Sequence, residues 1–562
     1  MIKHLRRLIL LYLGAVACSA QINYNVSLVG QLNNHHNVGG SSNNYYSEVW
    51  GWTDTVKHRE YAFIGAYDGS SIVDITDTIK EVGFITGPHN TYNYHEFRTY
   101  LNYLYIGAEG NDTTRNAGIQ IVDLGPLPGS PPVLKKNLVW RDTSNTNVIT
   151  RYYAAHTVEA EGKYLYVNGG GGTGNIPGFG GIRIYDLSDP LNPAQAGTYG
   201  KASSPYVHDS FIRHDTIFAA AINDGTLNIL DARNKNSITI IGNPVPTIPE
   251  GRTHNAWTTG DGKYVMTASE VNGGHLHIYD IHDPTSPAEV ASWTSNAATS
   301  IHNVFIDGDF AYIAYYSEGL RILDIKEPTN PIEVGFYDTH PGAILTTFEG
   351  AWGAYPYFPS GKIAVSDMNT GLYIVAFNKK HGGQIAGVVR NASTNLPLDS
   401  VQVTVLDAGR NYSGSASGQY KYGAAEGKTA IRYTRKGFIT RTDTVTITAG
   451  HLDTVNVLLT PGTLVGVTQG APQIPGKFVL EQNYPNPFNP TTHIDYFLPN
   501  PGLVTLRISD ILGRELLTIV NEVQREGAHT AFVDASSLPS GMYIYRLTQG
   551  NLNSSKSMLL LK

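Results

Sequence analysis

Cysteine is almost absent from this sequence, which has only Cys18 in 562 residues. A single thiol cannot form an intramolecular disulfide, so packing and hydrogen bonds must hold the fold together. Charged side chains are also few, at 15%, and the net charge is −7. Basic residues form no cluster beyond the first seven positions, which argues against a nucleic-acid partner.

Long segments of two kinds are missing as well. Beyond the amino terminus no apolar run reaches the ~18 residues of a membrane-spanning helix, so we expect no transmembrane segment in the mature chain. No long stretch has the Ala-, Glu-, Lys-, Leu- and Arg-rich composition of a long helix. The chain contains 35 tyrosines and 59 glycines instead, a composition rich in strands and turns. These features predict an all-β protein, and its length corresponds to about three to four domains.

The first 20 residues have the three parts of a secretory signal peptide. Three basic residues precede the apolar run Leu8–Ala17, and small residues follow up to Ala20. We therefore expect export and a mature chain that begins at Gln21. A second interpretation stays open, because Ala15–Cys18 resembles a lipobox with Ala15 where Leu is usual, and it would place a lipid on Cys18.

A short motif recurs through the first two thirds of the chain. Its clearest copy is Gly319–Asp338, in which alternating apolar residues end in Asp and a Pro-containing turn follows. The other cores are Gly69–Asp74, Gly118–Asp123, Gly181–Asp186, Thr226–Asp231, His275–Asp280 and the degenerate Gly371–Ala376. Their last residues are spaced by 49, 63, 45, 49, 44 and 52 residues.

Repeats of roughly 40–50 residues with about four strands each are typical of a β-propeller. The seven cores predict a seven-bladed β-propeller over residues 21–378, closed by pairing an early strand near Val49 with the last blade. Each core would be the third strand of its blade, with two apolar runs before it and one strand after the Pro turn. The longest spacing is explained by a glycine-rich loop insertion at Gly169–Gly181.

The cores and their following turns, such as Asp283–Pro287 and Glu327–Pro331, resemble the LVIVD repeat of the choice-of-anchor B family of bacterial surface proteins. The resemblance covers about residues 45–378. It implies a propeller on a surface protein, and the family brings no settled activity with it.

A small β-sandwich is predicted for residues 383–460, where apolar and polar residues alternate at a period of two residues in short segments. Gln384–Val389 and Pro397–Val403 resemble the regulatory-like domain that is appended to carboxypeptidases and to many bacterial surface proteins. This domain supplies no catalytic residues. His156 and Glu159 have the spacing of the peptidase HxxE zinc motif, but they lie in a predicted propeller strand, so we interpret the match as coincidence.

The carboxyl terminus has the most specific pattern. A Pro-, Gly- and Thr-rich linker at 461–476 precedes residues 477–562, where Lys477–Thr492, Val504–Asp510 and Leu538–Tyr543 resemble the type A C-terminal sorting domain of the type IX secretion system. We expect a small β-sandwich. The resemblance implies the type IX machinery as a partner, removal of this domain, and either release or attachment to surface polysaccharide, at the cell surface or outside the cell.

Polar residues recur where the first strand of each predicted blade begins, and radial symmetry would gather them about the propeller axis. They are His95, His156, His208, His254, His302, Glu349 and Glu48. Imidazole and carboxylate groups together can bind zinc, copper, iron or nickel, so a divalent metal at the channel mouth is a candidate cofactor. Neutral imidazoles held close would share a cation and would repel one another once protonated near pH 5.

Three interpretations of these histidines stay open. They can hydrogen-bond within their blades, form a shared binding site, or support catalysis. The first two fit a secreted or surface-bound, non-catalytic binding or adhesion protein with an extracellular ligand, which is the function we predict. The alternative is a secreted metal-dependent hydrolase, although Thr99 stands where an HExxH motif starting at His95 needs its second histidine. We interpret Trp50, Trp52, Trp257 and Trp352 as packing residues.

Overall fold

The computed structural model describes most of the chain as strands and turns. The described residues are 23–36, 44–88, 94–108, 118–138, 141–142, 150–151, 155–169, 180–200, 205–296, 298–341, 348–406, 410–413, 417–462, 478–480, 482–483, 486–511 and 513–561. The predicted signal peptide with Cys18, most of the glycine-rich insertion and nearly all of the predicted linker lie outside them. Among the described residues, no helix is long and apolar enough to cross a membrane.

The chain divides into two compact units. The first takes in the described parts of Met1–Val389, Pro397–Tyr433 and Thr442–Val457, and the second those of Arg390–Leu396, Thr434–Arg441 and Leu458–Lys562.

Antiparallel sheets of four or five strands recur along the first unit. Sheet 1 contains Tyr46–Asp54, Arg59–Ala66, Gly69–Asp74 and Lys80–Thr86; sheet 2, His95–Tyr100, Tyr103–Ala108, Ile119–Asp123 and Val133–Leu138; sheet 3, Thr157–Glu161, Tyr164–Asn168, Ile182–Asp186 and Ala194–Tyr199. Sheet 4 contains Asp209–Arg213, Thr216–Ala221, Thr226–Asp231, Thr239–Ile240 and Val245–Pro246; sheet 5, Thr253–Thr258, Tyr264–Ser269, Leu276–Asp280 and Ala288–Trp293.

Two further sheets include strands from the amino terminus. Sheet 6 contains Asn303–Asp307, Phe310–Ala314, Leu320–Asp324, Ile332–Tyr337 and Asn23–Tyr24. Sheet 7 contains Ala351–Tyr355, Lys362–Asp367, Gly371–Phe377 and Val26–Leu32. A separate pair is formed by Arg141–Asp142 and Thr150–Arg151.

Each recurring core is the third strand of its sheet, and its final aspartate has a defined structural role. In sheet 6, Asp324 Oδ1 accepts a hydrogen bond from the Lys326 N–H at 3.0 Å. Asp280 accepts the equivalent bond from the His282 N–H at 2.9 Å. The carboxylate therefore closes an Asx turn that leads into the fourth strand, a local role for which Asp is well suited. The same bond recurs at Asp74, Asp123, Asp186 and Asp231.

The connectivity of sheet 7 explains why its core ends in Ala376 and not in Asp. Its fourth strand is Val26–Leu32, which pairs antiparallel with Gly371–Phe377 and comes from the other end of the repeat region. No turn into a fourth strand follows Ala376, so the position does not need the aspartate. The expectation that the closing strand lies near Val49 is wrong, because Val49 belongs to the first strand of sheet 1.

The first strands of the sheets contact one another in order. The first strand of each sheet touches that of the next, and the strand of sheet 7 touches that of sheet 1. The contacts thus form a closed circle, which is the arrangement of inner strands in a β-propeller. Apolar side chains fill the spaces between successive sheets, such as Phe63 against Phe97 and Trp257 against Phe305.

The middle segment contains two smaller sheets. Its strands are Gly382–Asn391, Gln402–Val405, Arg410–Ser413, Gln419–Ala425, Gly427–Thr434, Arg441–Ile447, Leu452–Thr454 and Val457–Leu459. This segment is fixed to sheet 6 within the first unit. Asp324 Oδ2 accepts a hydrogen bond from the Gly382 N–H at 2.7 Å and lies 3.0 Å from His381 Nδ1. The Tyr24 hydroxyl accepts a hydrogen bond from the Ala425 N–H at 3.2 Å.

The second unit includes a pair of packed sheets built from the last strands. These are Val479–Leu480, Thr491–Leu498 and Gly527–Asp534 in one sheet, and Glu515–Gln524, Gly502–Asp510, Gly541–Gln549 and Leu552–Leu560 in the other. Burial alternates along Gly502–Asp510, whose inward residues include Leu506 and Ile508. They pack with Ile494 and Tyr545 in one core, as the period-two pattern requires.

Candidate metal centre

Three of the five predicted histidines hold the same position in their sheets, and His254 lies at an irregularity of register in the first strand of sheet 5. The His156 N–H donates to the Asn168 carbonyl at 3.0 Å, where the second strand of sheet 3 ends. The His208 N–H donates to Ala220 at 2.9 Å, and the His302 N–H to Ala314 at 3.0 Å. This shared register places each imidazole at the same end of the inner strands, so the side chains of neighbouring sheets meet.

The imidazoles form a continuous row. Ring centroids are 3.9 Å apart for His156 and His208, 4.1 Å for His208 and His254, and 4.2 Å for His254 and His302. Trp352 continues the row in sheet 7, at 4.3 Å from His302, and Tyr94 stacks on Trp352 at 5.2 Å. All four imidazoles line one cavity of about 240 Å³.

Backbone carbonyls of neighbouring sheets set the tautomers of two histidines. His208 Nδ1 lies 3.1 Å from the His254 carbonyl oxygen, and His302 Nδ1 lies 2.5 Å from the Trp352 carbonyl oxygen. A carbonyl only accepts, so each Nδ1 carries the proton in the neutral ring. The Nε2 lone pair of His302 is then available, because this atom is buried without a hydrogen-bond partner among the described residues.

The surroundings keep the rings of His208, His254 and His302 neutral. Burial lowers the pKa of His302 to about 3, although the Trp352 carbonyl acts in the opposite direction. Burial and the neighbouring imidazoles lower the pKa values of His208 and His254 well below their ordinary value. A neutral imidazole is the form that binds a metal ion, so the site presents ligands without having to lose protons at neutral pH.

Glu270 completes a set of three ligands that the sequence analysis missed. It lies 3.8 Å from His254 Nε2 through Oε2, and Oε1 accepts a hydrogen bond from the Tyr316 hydroxyl at 2.7 Å. One ligand atom each from His254, Glu270 and His302 lie within 4.8 Å of one another. Two imidazole nitrogens and one carboxylate oxygen form a common ligand set for zinc and non-haem iron.

The floor of the cavity is lined by carboxylates. Glu48, Glu96 and Asp209 line it, one residue further along their strands than the histidine level. Arg98 lies beside them, but its guanidinium binds both oxygens of Glu159 at 2.7 Å. Burial raises the pKa of Glu48 to about 8 and that of Asp209 to about 6.

The structure does not bring all the predicted site residues together. Glu48 lines the cavity with four of the histidines, whereas His95 and Glu349 are not part of its described lining. The His95 N–H donates a hydrogen bond to Ser47 Oγ at 3.0 Å. Trp352, which we interpreted as a packing residue, lines the cavity in sheet 7.

The sequence holds little sign of Glu270. It follows the second strand of sheet 5, whereas the recurring polar residues lie where the first strands begin. Tyr316 holds the equivalent place after the second strand of sheet 6, and no shared residue type marks this position.

Two family models match parts of the chain. The LVIVD repeat matches residues 255–295 and 300–339, which form most of sheets 5 and 6. The secretion system C-terminal sorting domain matches residues 482–561. No curated protein matches the chain.

Solved structures with similarity to this chain have low sequence identity to it, and one of them is a β-propeller domain. The Cps50 (Swd1) β-propeller domain of Myceliophteria thermophila has 12% identity and a TM-score of 0.39, over 62% of this chain and 98% of that chain. A putative 6-phosphogluconolactonase from Bacteroides uniformis has 13% identity and a TM-score of 0.39, over 68% and 99%. One from Bacteroides fragilis has 13% identity and a TM-score of 0.37, over 61% and 96%.

The predictions of LVIVD repeats and of a type IX sorting domain are confirmed by these matches. The chain is therefore an all-β protein with LVIVD repeats in a β-propeller and a type IX C-terminal sorting domain, exported to the cell surface or the extracellular space by the type IX secretion machinery.

Proposed function

We propose that this protein is a non-catalytic binding protein of the cell surface or medium, and that its propeller binds a divalent transition metal through His254, Glu270 and His302. The observation that carries this proposal is the buried His302 Nε2, which has no hydrogen-bond partner in the described part of the chain and lies within 4.8 Å of ligand atoms of His254 and Glu270. An unpaired buried polar atom costs free energy, and a bound metal would remove that cost.

The arrangement of neighbouring groups supports the same proposal. Metal-binding imidazoles usually donate their second N–H to a carbonyl or carboxylate, and His302 Nδ1 has such a partner in Trp352. The Tyr316 hydroxyl orients Glu270 in a similar way. His208 lies beside the ligand His254, with ring centroids 4.1 Å apart, and His156 lies beside His208.

The proposal also includes the domain organisation of the chain. The seven sheets of the first unit are the blades of one closed propeller over 21–378, and residues 383–460 form a regulatory-like sandwich that serves as a spacer. The signal peptide at 1–20 and the sorting domain at 477–562, after a linker at 461–476, direct export and are removed. Membership of the choice-of-anchor B group, and surface polysaccharide as the attachment point, belong to this proposal.

The alternative of a metal-dependent hydrolase is not favoured by the family matches. Metal binding alone accounts for the closeness of the three ligand atoms, which lie within 4.8 Å of one another. The extracellular ligand of the surface protein would then be recognised with or through the bound metal.

Metal titration of the purified chain tests the proposal. We expect calorimetry with Zn²⁺ to show one site per chain, and the variants His254→Gln and His302→Gln each to weaken binding at least tenfold. His282→Gln is the matched control, because His282 belongs to sheet 5 but is half exposed and bonds Asp280 outside the cavity. Absence of binding by the natural chain, or unchanged binding in both variants, would overturn the proposal.

A further inference from the structure

The floor of the cavity differs chemically from its histidine wall. At the level below the imidazoles, the described lining presents oxygen atoms from different sheets. They belong to Glu48, Glu96, Thr157, Asp209 and Asn303. Oxygen-only sites favour hard cations such as Ca²⁺ over transition metals.

One floor carboxylate has an unpartnered oxygen. Glu48 is 2% exposed, and its Oε1 has no hydrogen-bond partner among the described residues, whereas Oε2 lies 3.3 Å from Asn303 Nδ2. Such a buried, unpaired acceptor is costly unless it binds a proton or a cation. Glu48 lines the same cavity as Asp209 and Asn303.

Sheet 7 makes room for this carboxylate. Gly353 stands opposite Glu48, and a Cβ atom built at this glycine would lie 2.4 Å from Glu48 Oε1. Any larger residue would therefore displace the carboxylate. Glycine here keeps open the space into which Glu48 extends.

Arg98 is the cation beside the floor among the described lining residues. Arg98 gives two hydrogen bonds to Glu159, so its guanidinium is already paired. Glu48 and Asp209 line the same cavity. A cation bound there would favour the charged forms of their carboxylates.

We propose that this floor is a second cation site, separate from the imidazole site, which binds a hard divalent ion of the Ca²⁺ type through the side-chain oxygens of Glu48, Asp209 and Asn303. The cavity of about 240 Å³ leaves space for water molecules to complete six to eight ligands. With few protein ligands, the affinity falls in the range of extracellular calcium modules, with a Kd on the order of 0.1–1 mM.

Terbium luminescence tests this site in the full chain. Tb³⁺ replaces Ca²⁺ at oxygen sites and is excited by nearby indole and phenol rings, and Trp352 and Tyr94 line the same cavity. We expect sensitised emission that Ca²⁺ abolishes by competition. The variants Glu48→Gln and Asp209→Asn should each lower Tb³⁺ affinity at least tenfold, and Gly353→Ala should lower it as well.

The matched control is Glu60→Gln, a buried carboxylate of sheet 1 that bonds Ser360 outside the cavity. The double variant of His254→Gln with His302→Gln should keep Tb³⁺ emission while losing Zn²⁺, which separates this site from the proposed metal centre. Should Glu48→Gln fail to fold in a thermal melt, Asp209→Asn alone decides. Unchanged emission in the floor variants, or its loss in the histidine double variant, would overturn the proposal.

Discussion

The Nε2 atoms of His156 and His208 lie 2.5 Å apart, although the two residues begin strands of different sheets. His208 Nδ1 faces a backbone carbonyl, so its Nε2 is the acceptor and His156 Nε2 carries the shared proton. The two rings therefore cannot both be cationic without breaking this contact. This relationship links the charge state of the histidine row to the packing of neighbouring sheets.

Acid should destabilise the metal-free propeller through these histidines. The folded pKa values of His208, His254 and His302 are lowered, that of His302 to about 3, so below about pH 6.5 the unfolded chain binds protons that the folded chain does not. Stability is therefore complete above pH 6.5 and falls as the pH drops toward 3. For His302 alone the loss at pH 5 is about 2 kcal/mol.

Denaturant unfolding across this pH range measures the effect. We expect His302→Gln to flatten the acid limb of the stability profile, while the exposed-site variant His282→Gln leaves it unchanged. Equal profiles for the natural chain and His302→Gln would contradict the assignment. The lowered pKa values also shift the expected loss of metal binding to a pH below the value near 5 that the sequence suggested.

Glu48 should reduce the stability of the folded chain as the pH rises, whereas the histidines reduce it as the pH falls. Burial raises its pKa to about 8, so the folded state keeps a proton that the unfolded chain loses above about pH 4.5. Stability from this group is full below pH 4.5 and is lost as the pH rises through 8. In metal-free protein without Ca²⁺, Glu48→Gln should be more stable than the natural chain by about 1–4 kcal/mol at pH 8 and equal at pH 4.

The comparison needs chelator-treated protein and two pH values. Thermal or denaturant melts at pH 4 and pH 8 give the difference directly. A destabilised Glu48→Gln at pH 8 would show that the carboxylate is charged and paired in the folded state.

Asp324 should matter more than the other turn aspartates. It closes the turn of its own repeat and also accepts a hydrogen bond from the Gly382 N–H, whereas Asp280 closes its turn and contacts His282 on the surface. Asp324→Ala removes both roles, so it should cost about 1–3 kcal/mol more than Asp280→Ala. Chemical denaturation of the two variants measures the difference, and similar losses would mean that the bond to Gly382 contributes little.

A further prediction concerns Val26–Leu32, the strand that closes the circle of sheets. Val26–Leu32 is the outer strand of sheet 7, and its removal exposes the edge formed by Gly371–Phe377. Deleting residues 23–32 should broaden the thermal transition and promote association in size-exclusion chromatography. Deleting the outer strand of sheet 2 is not an equivalent control, because that deletion also removes a turn. Substitution of Leu28 and Val29, two exposed residues of the closing strand, serves as the control and should leave folding intact.

Much of the fold could be predicted from the sequence because the repeat is local. Asp280 and Asp324 close turns within their own sheets, so the motif and its structural cause lie close together in the chain. The closing strand could not be predicted in the same way, because Val26–Leu32 pairs with residues more than three hundred positions away and lacks the repeat motif.

The candidate site likewise has some residues that could be predicted from the sequence and others that could not. Its histidines recur where the first strands begin and could be found by comparing repeats. Glu270 depends on a single residue after a second strand, and the role of Trp352 depends on side-chain direction in a sheet without a histidine at that level. Neither feature has a periodic signal, so only the packed sheets reveal them.

X-ray absorption at the zinc edge of the Zn²⁺-loaded chain tests the central claim most directly. We predict one tightly bound zinc per chain, with nitrogen and oxygen ligands at about 2.0–2.1 Å and the multiple-scattering signature of at least two imidazoles. The double variant of His254→Gln with His302→Gln should lose this spectrum, and His282→Gln should keep it. A chain that retains no zinc after dialysis, or a spectrum that survives the double variant, would contradict the proposed metal centre.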